Sequence, residues 1–110
     1  MHDQGFIPIF THDAWNPRRK VEACVQAGAR VIEYTLRCPD ARELIPWIRR
    51  THPDLVLLVG STLDDEGIVR ERRRQFPQLM SVAELADLGV HGFVSMIGWS
   101  EASIRRYCRT

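Results

Sequence analysis

Short apolar runs alternating with helical patterns four times along 110 residues predict an α/β fold of four consecutive βα units with parallel strands. Two further observations support this. The segments between the runs carry N-cap and stop residues at helix spacing. The run from Leu55 to Val59 is apolar throughout, as in a parallel strand covered on both faces. Strand–helix–strand links of this kind are right-handed crossovers within one sheet.

In chain order, Phe6-Ile7-Pro8-Ile9-Phe10 is the first strand, ending at Thr11-His12-Asp13. Asn16 is an N-cap with Pro17 at the first helical position, and the helix runs to about Ala27 before Gly28 stops it. Strand two is Val31-Ile32-Glu33-Tyr34-Thr35-Leu36-Arg37. A second helix starts at Pro39 and Asp40, passes Trp47 and ends near Arg50, with an interruption or bend expected at Pro46. Gly60-Ser61-Thr62 closes the third strand, and Asp64 and Asp65 open a third helix, where carboxylates favour the helix dipole. A short helix from Val82 to Leu88 leads through Gly89 to a fourth strand, Phe93-Val94-Ser95-Met96, and Ser100 caps a last helix. Ala27-Gly28-Ala29-Arg30-Val31-Ile32 and Leu88-Gly89-Val90-His91-Gly92-Phe93 form a faint internal repeat, each a helix end, a glycine stop and a strand start.

Strand two is the most informative of these elements. Side chains alternate along a strand, so Ile32, Tyr34 and Leu36 share an apolar face that belongs under a helix. Val31, Glu33, Thr35 and Arg37 share the other, and a carboxylate, a hydroxyl and a guanidinium on one strand face need partners or a function. The residues leave two readings: Glu33 and Arg37 pair with each other, or both point into a common cavity at the strand's C-terminal end. Four βα units in sequence resemble half of a (β/α)8 TIM barrel, whose sites lie at that end; a whole barrel needs roughly 200 residues or more.

Composition narrows the functional classes. The chain is 45% hydrophobic and 26% charged with a net charge of +1, which argues against bulk attraction to nucleic acid or membrane. No apolar run reaches membrane-spanning length, and Met1-His2-Asp3-Gln4 does not open a signal peptide. Cys24, Cys38 and Cys108 are an odd number with no close pair, fitting buried free thiols and a cytoplasmic protein. Of the fifteen basic residues only Lys20 is a lysine, so lysine chemistry would need Lys20, the α-amino group or another chain. Lys20 sits beside Arg18 and Arg19 on a helix, which reads as a solvated face.

The residues Phe6-Ile7-Pro8-Ile9, Ala27-Gly28-Ala29-Arg30-Val31-Ile32-Glu33-Tyr34-Thr35-Leu36-Arg37, Val59-Gly60-Ser61-Thr62-Leu63 and Phe93-Val94-Ser95 resemble the N-terminal half of the 2-keto-3-deoxy-6-phosphogluconate / 4-hydroxy-2-oxoglutarate (KDPG/KHG) aldolase family. The branched pair followed by Glu-x-Thr-Leu-Arg carries most of the resemblance, which spans roughly residues 6 to 100. Two features depart from the family pattern: Ser61 is an extra residue between Gly60 and Thr62, and Met96-Ile97-Gly98 stands where Pro-Gly is usual. The resemblance implies a barrel and a Schiff-base lyase that cleaves a 2-keto-3-deoxy or 4-hydroxy-2-keto acid, with or without a phosphate, to pyruvate and an aldehyde. It implies Glu33 as general acid/base, with Arg37, Thr35 and Thr62 at the substrate and no cofactor. The family's imine-forming lysine belongs to a sixth strand that these residues do not include, so the chain alone is expected to be inactive.

Two alternatives remain. The chain can be a non-enzymatic or incomplete barrel module. It can be a metal-dependent pyruvate aldolase, with His12 and Asp13 near Glu33, although their spacing fits no standard ligand motif and no metal is expected. The Arg70, Arg72, Arg73 and Arg74 cluster is expected to pair with Glu66 and Glu71 on a solvated helix face. Trp47 reads as helix core, and Trp15 and Trp99 as packing near strand ends. A half-barrel leaves two open edges and one uncovered face, with Ile7, Ile9, Leu57 and Val94 expected there. A homo-oligomer or a missing C-terminal half is therefore the expected partner, beside a small 2-keto acid as ligand.

Overall fold

In a computed structural model that describes residues 4–11, 16–95 and 98–108, the chain is an α/β fold with a four-stranded, all-parallel sheet. Its elements are β1 (Ile9–Phe10), α1 (Pro17–Gln26), β2 (Val31–Thr35), α2 (Ala41–Thr51), β3 (Val56–Thr62), α3 (Glu66–Arg72), α4 (Val82–Asp87), β4 (Gly92–Ser95) and α5 (Glu101–Tyr107). The strands lie in sequence order, β1-β2-β3-β4, which is the strand order of half a (β/α)8 barrel.

Local chemistry sets the boundaries. The Asn16 side chain accepts hydrogen bonds from Arg18 N (3.1 Å) and Arg19 N (3.4 Å) and so starts α1. Asp65 does the same for α3 through Gly67 N and Ile68 N. Ser81 and Glu84 form a reciprocal capping box on α4. Helix α2 continues through Pro46 without a break in its assignment. Gly28 (φ 95°) and Gly89 (φ 82°) both take the left-handed turn that precedes a strand, so the faint repeat in sequence is a repeat in structure. The first strand is shorter than the apolar run suggests: only Ile9 and Phe10 pair with β2, and Phe6 is exposed.

Register divides the sheet into unequal faces. Phe10, Ile32, Tyr34, Leu36, Leu57 and Val59 point to one side, into a core that also takes Val21 of α1, Leu44, Ile45 and Ile48 of α2, and Leu85 of α4. Ile32, Tyr34 and Leu36 are almost fully buried there, as alternation requires. Phe93 of β4 adds ring contacts to Trp99 (6.0 Å) and Tyr107 of α5 (6.1 Å). The other side carries the row Ile9, Glu33, Leu58 and Gly92, one residue from each strand in direct register. Ile9 is 55% exposed and Val94, on the same face, 45%. Leu57 therefore belongs to the core and Leu58 to the uncovered face; a continuous apolar run carries no alternation from which to read its phase.

Ion pairs and thiols also depart from expectation. Arg73 bonds to Glu84 and to Leu79 O (2.9 Å), and Arg42 reaches Pro77 O (2.8 Å) and Leu79 O (3.2 Å). Together they tie α2, the end of α3 and the start of α4 around the turn at residues 76–80. Among the described residues, Glu66 and Glu71 pair with none of the arginines in the cluster. Cys38 is buried, Cys24 half-buried with its thiol pKa raised by burial, and Cys108 exposed. Met96, His12, Asp13 and Trp15 lie outside the described residues. No helix among the described residues is long and apolar enough to cross a membrane.

The start of β4 is held by a two-way contact. His91 N donates to Leu57 O (2.9 Å), and Leu57 N donates to the imidazole Nδ1 of His91 (3.1 Å). An acceptor Nδ1 requires the neutral ring, and desolvation, then the Arg49 guanidinium, lower the pKa of His91 below the ordinary histidine value. The unfolded chain therefore binds a proton at His91 that the folded chain resists. Stability is complete above about pH 7 and declines as pH falls below ~6.5. Urea midpoints measured between pH 7.5 and 5 should fall on acidification, with a shallower slope in His91→Gln. Loss at Asp64, whose carboxylate pKa is depressed by Ser103 and Ser100, comes later, below about pH 4.

Candidate active site

The candidate site is the upper part of the uncovered face, where β2 and β3 end. Glu33 stands in the middle of that face, half-buried, between Ile9 on β1 and Leu58 on β3. Its backbone N–H is used by Pro8 O (2.9 Å), which fixes the strand while leaving the side chain unengaged. The carboxylate lies over Gly60, and a Cβ at that position would meet Glu33 Oε1 well inside van der Waals contact. Gly60 thus makes room for the carboxylate. Among the described residues Glu33 has neither an ion pair nor a side-chain hydrogen bond. The reading in which Glu33 and Arg37 neutralise each other does not hold in this geometry.

Thr35 is buried and organises the end of β2. Its Oγ1 lies 2.6 Å from Ser61 Oγ and accepts from Arg37 N (3.3 Å) and Arg37 Nε (3.4 Å). Arg37 itself is exposed, and among the described residues it faces no carboxylate. It lines a cleft of about 650 Å³ beside the ends of β2 and β3, together with Leu36, Ser61 and Leu63. Glu33 is not part of that lining; it lies on the uncovered sheet face, over Gly60.

The residue after Gly60 changes the site from what the sequence pattern implies. Ser61 takes a left-handed backbone (φ 61°), and the β3–β4 register shifts between Val59 and Thr62. This is a β-bulge, with the extra Ser61 as its unpaired residue. The bulge turns Thr62 into the structure: it is fully buried, and its hydroxyl donates to Val94 O (2.9 Å). Thr62, expected at the substrate, is thereby committed to the β3–β4 ladder. Ser61 holds the accessible place in its stead. The extra serine was visible in sequence; that it would bulge and displace Thr62 was not.

The remaining chemistry-bearing residues lie elsewhere. Lys20 is in α1, in the helix layer and across the sheet from Glu33. Among the described residues no group of three or more His, Cys, Asp or Glu is placed to hold a metal ion. Comparison of the chain with protein-family models, with curated proteins and with solved structures gives no match. The geometry of the strand ends therefore carries the functional argument.

One substitution tests that geometry. Gly60→Ala places a methyl group where the Glu33 carboxylate lies, and the carboxylate end is flexible enough to move aside. The variant should fold with a stability loss under about 2 kcal/mol. The Glu33 carboxyl carbon resonance should shift while methyl resonances of Ile32, Leu57 and Val59 stay in place. Core shifts without a change at Glu33 would show that the carboxylate does not occupy the Gly60 position.

Proposed function

We propose that the chain provides the keto-acid-binding half of a pyruvate-type Schiff-base lyase. Arg37 and Ser61 receive the carboxylate of a small 2-keto acid, and Glu33 carries protons between substrate atoms. The observation that carries this reading is the unpartnered Glu33 carboxylate, cradled over Gly60 on the uncovered sheet face, four residues before a guanidinium at the strand end that has no carboxylate partner among the described residues. A carboxylate so placed can take and return a proton, and a guanidinium can clamp a planar carboxylate through two N–H···O bonds.

The roles follow from the chemistry of a 4-hydroxy-2-keto acid. A lysine amine condenses with the C2 carbonyl and releases water, giving an imine that can accept an electron pair. Glu33 takes the C4 hydroxyl proton; the C3–C4 bond breaks, the aldehyde leaves, and the electron pair moves into the enamine. Glu33 then returns the proton to C3, and hydrolysis releases pyruvate. The lysine comes from outside these 110 residues, since Lys20 is across the sheet. The segment or chain that brings it also covers Ile9, Leu58 and Val94 on the uncovered face. A second copy related by a twofold axis can supply the cover through an isologous contact, but it supplies no strand lysine.

The second reading, a non-enzymatic binding module, keeps the Arg37 clamp and drops the proton transfers; the position of Lys20 favours it. Pyruvate titration followed by amide chemical shifts, with borohydride trapping and intact-mass measurement, separates the two. Pyruvate should perturb residues 35–37 and 60–61, and Arg37→Ala should weaken it about fivefold. No reduced pyruvyl adduct should form on this chain alone. Addition of a lysine-bearing partner that restores an adduct, with turnover lost in Glu33→Gln, establishes the lyase. An adduct on this chain that survives Lys20→Arg and is not at the α-amino group would contradict the assignment.

A further inference from the structure

The cleft beside the strand ends has a character of its own. Beyond Arg37 and Ser61 it is walled by Leu63, by Ile68 and Arg72 of α3, and by Phe76 in the turn that follows. Its volume, 650 Å³, is in the range of small-molecule sites, ~300–1,000 Å³. Ile68 and Phe76 are 41% and 42% exposed, large apolar side chains left facing water at the cleft. The turn carrying Phe76 is not loose: Arg42 binds Pro77 O and Leu79 O, and Arg73 binds Leu79 O and Glu84. Arg42 of α2, Arg73 at the end of α3 and Glu84 of α4 thus fix the turn that carries Phe76.

Its charge is one-sided. Arg37 and Arg72 both line it, and among the described residues neither has a carboxylate partner. Two uncompensated guanidiniums beside a mostly apolar wall match a ligand with a planar anionic head and an apolar body. We propose that this cleft binds a free monocarboxylic acid of that kind, an aliphatic or aryl acid, with its carboxylate at Arg37 and Arg72 and its apolar body against Ile68, Leu63 and Phe76. A polyhydroxylated or phosphorylated body would leave the apolar wall without a complement, with Ser61 and Gln78 as the uncharged polar side chains of the lining. The inference uses Arg37 but needs neither Glu33 nor a lysine, so it stands apart from the lyase reading.

Octanoate below its micelle concentration is the probe, titrated into the ¹⁵N-labelled 110-residue chain, with octanamide and inorganic phosphate as comparisons. Octanoate should shift the amides of residues 36–37, 61–63 and 68 saturably. Arg72→Ala, or Arg72→Gln if the first variant loses its dispersion, should weaken octanoate about threefold to fivefold while leaving the pyruvate response unchanged. Ile68→Ser should weaken octanoate as well. Octanamide binding as tightly as octanoate, or phosphate displacing octanoate with equal affinity, would overturn the proposal. So would shifts that map to Ile9, Leu58 and Val94 on the uncovered face. Octanoate binding without any pyruvate response would leave the cleft assignment in place and remove the keto-acid reading.

Discussion

Among the described residues helices pack on one face of this sheet only, and the rest of the structure follows from that asymmetry. Each crossover returns the chain to the same side, so α1, α2 and α4 converge on Ile32, Tyr34, Leu57 and Val59. Burying each such side chain is worth roughly 1.5–3 kcal/mol, which fixes the strand phase throughout. The opposite face receives whatever that phase leaves over. On β2 it receives Glu33 and Thr35, on β3 Leu58 and Gly60, and on the edge strands Ile9 and Val94. An open face with a carboxylate at its centre is thus a by-product of core packing, and it becomes a site because Gly60 gives the carboxylate space.

Much of this was legible in the sequence where a local rule and the global pattern agreed. Asn16-Pro17 and Ser100 are helix starts by their own chemistry, and each caps a helix in the structure. The Ile32, Tyr34, Leu36 alternation placed three residues correctly because polar neighbours marked its phase. Where that marking was missing, legibility ended. Leu55 to Val59 offers no polar residue, so nothing local says that Leu57 is sealed and Leu58 is not. Phe6 and Ile7 are apolar enough for a strand, yet among the described residues of this segment the pairing with β2 is confined to Ile9 and Phe10, after Pro8.

The site was less legible, because it depends on contacts that cross the chain. Glu33 and Arg37 were identifiable as polar groups on one face, but which partners they would lack was not. The arginine cluster at residues 70–74 reads as an intrahelical ion-pair face; Arg73 instead crosses to Glu84, which already serves as the capping-box residue of α4. That choice shapes the turn carrying Phe76 and leaves Arg72 at the cleft. The bulge at Ser61 is the sharpest case. One inserted residue rotates Thr62 into the ladder and brings Ser61 to Thr35, a result set by pairing with β4 and invisible to spacing.

The two faces of the sheet are unequal, and the one bearing Glu33 is accessible. Relaxation enhancement of methyl protons by a soluble gadolinium chelate reads this directly, at the lowest concentration that gives a spectrum. Methyls of Ile9 and Val94 should relax strongly and those of Leu58 to an intermediate degree, while Ile32, Leu57 and Val59 remain protected. If Ile9, Leu58 and Val94 are as protected as Ile32 and Val59 in a sample that light scattering shows to be monomeric, the face is covered by the chain itself and no open site exists there.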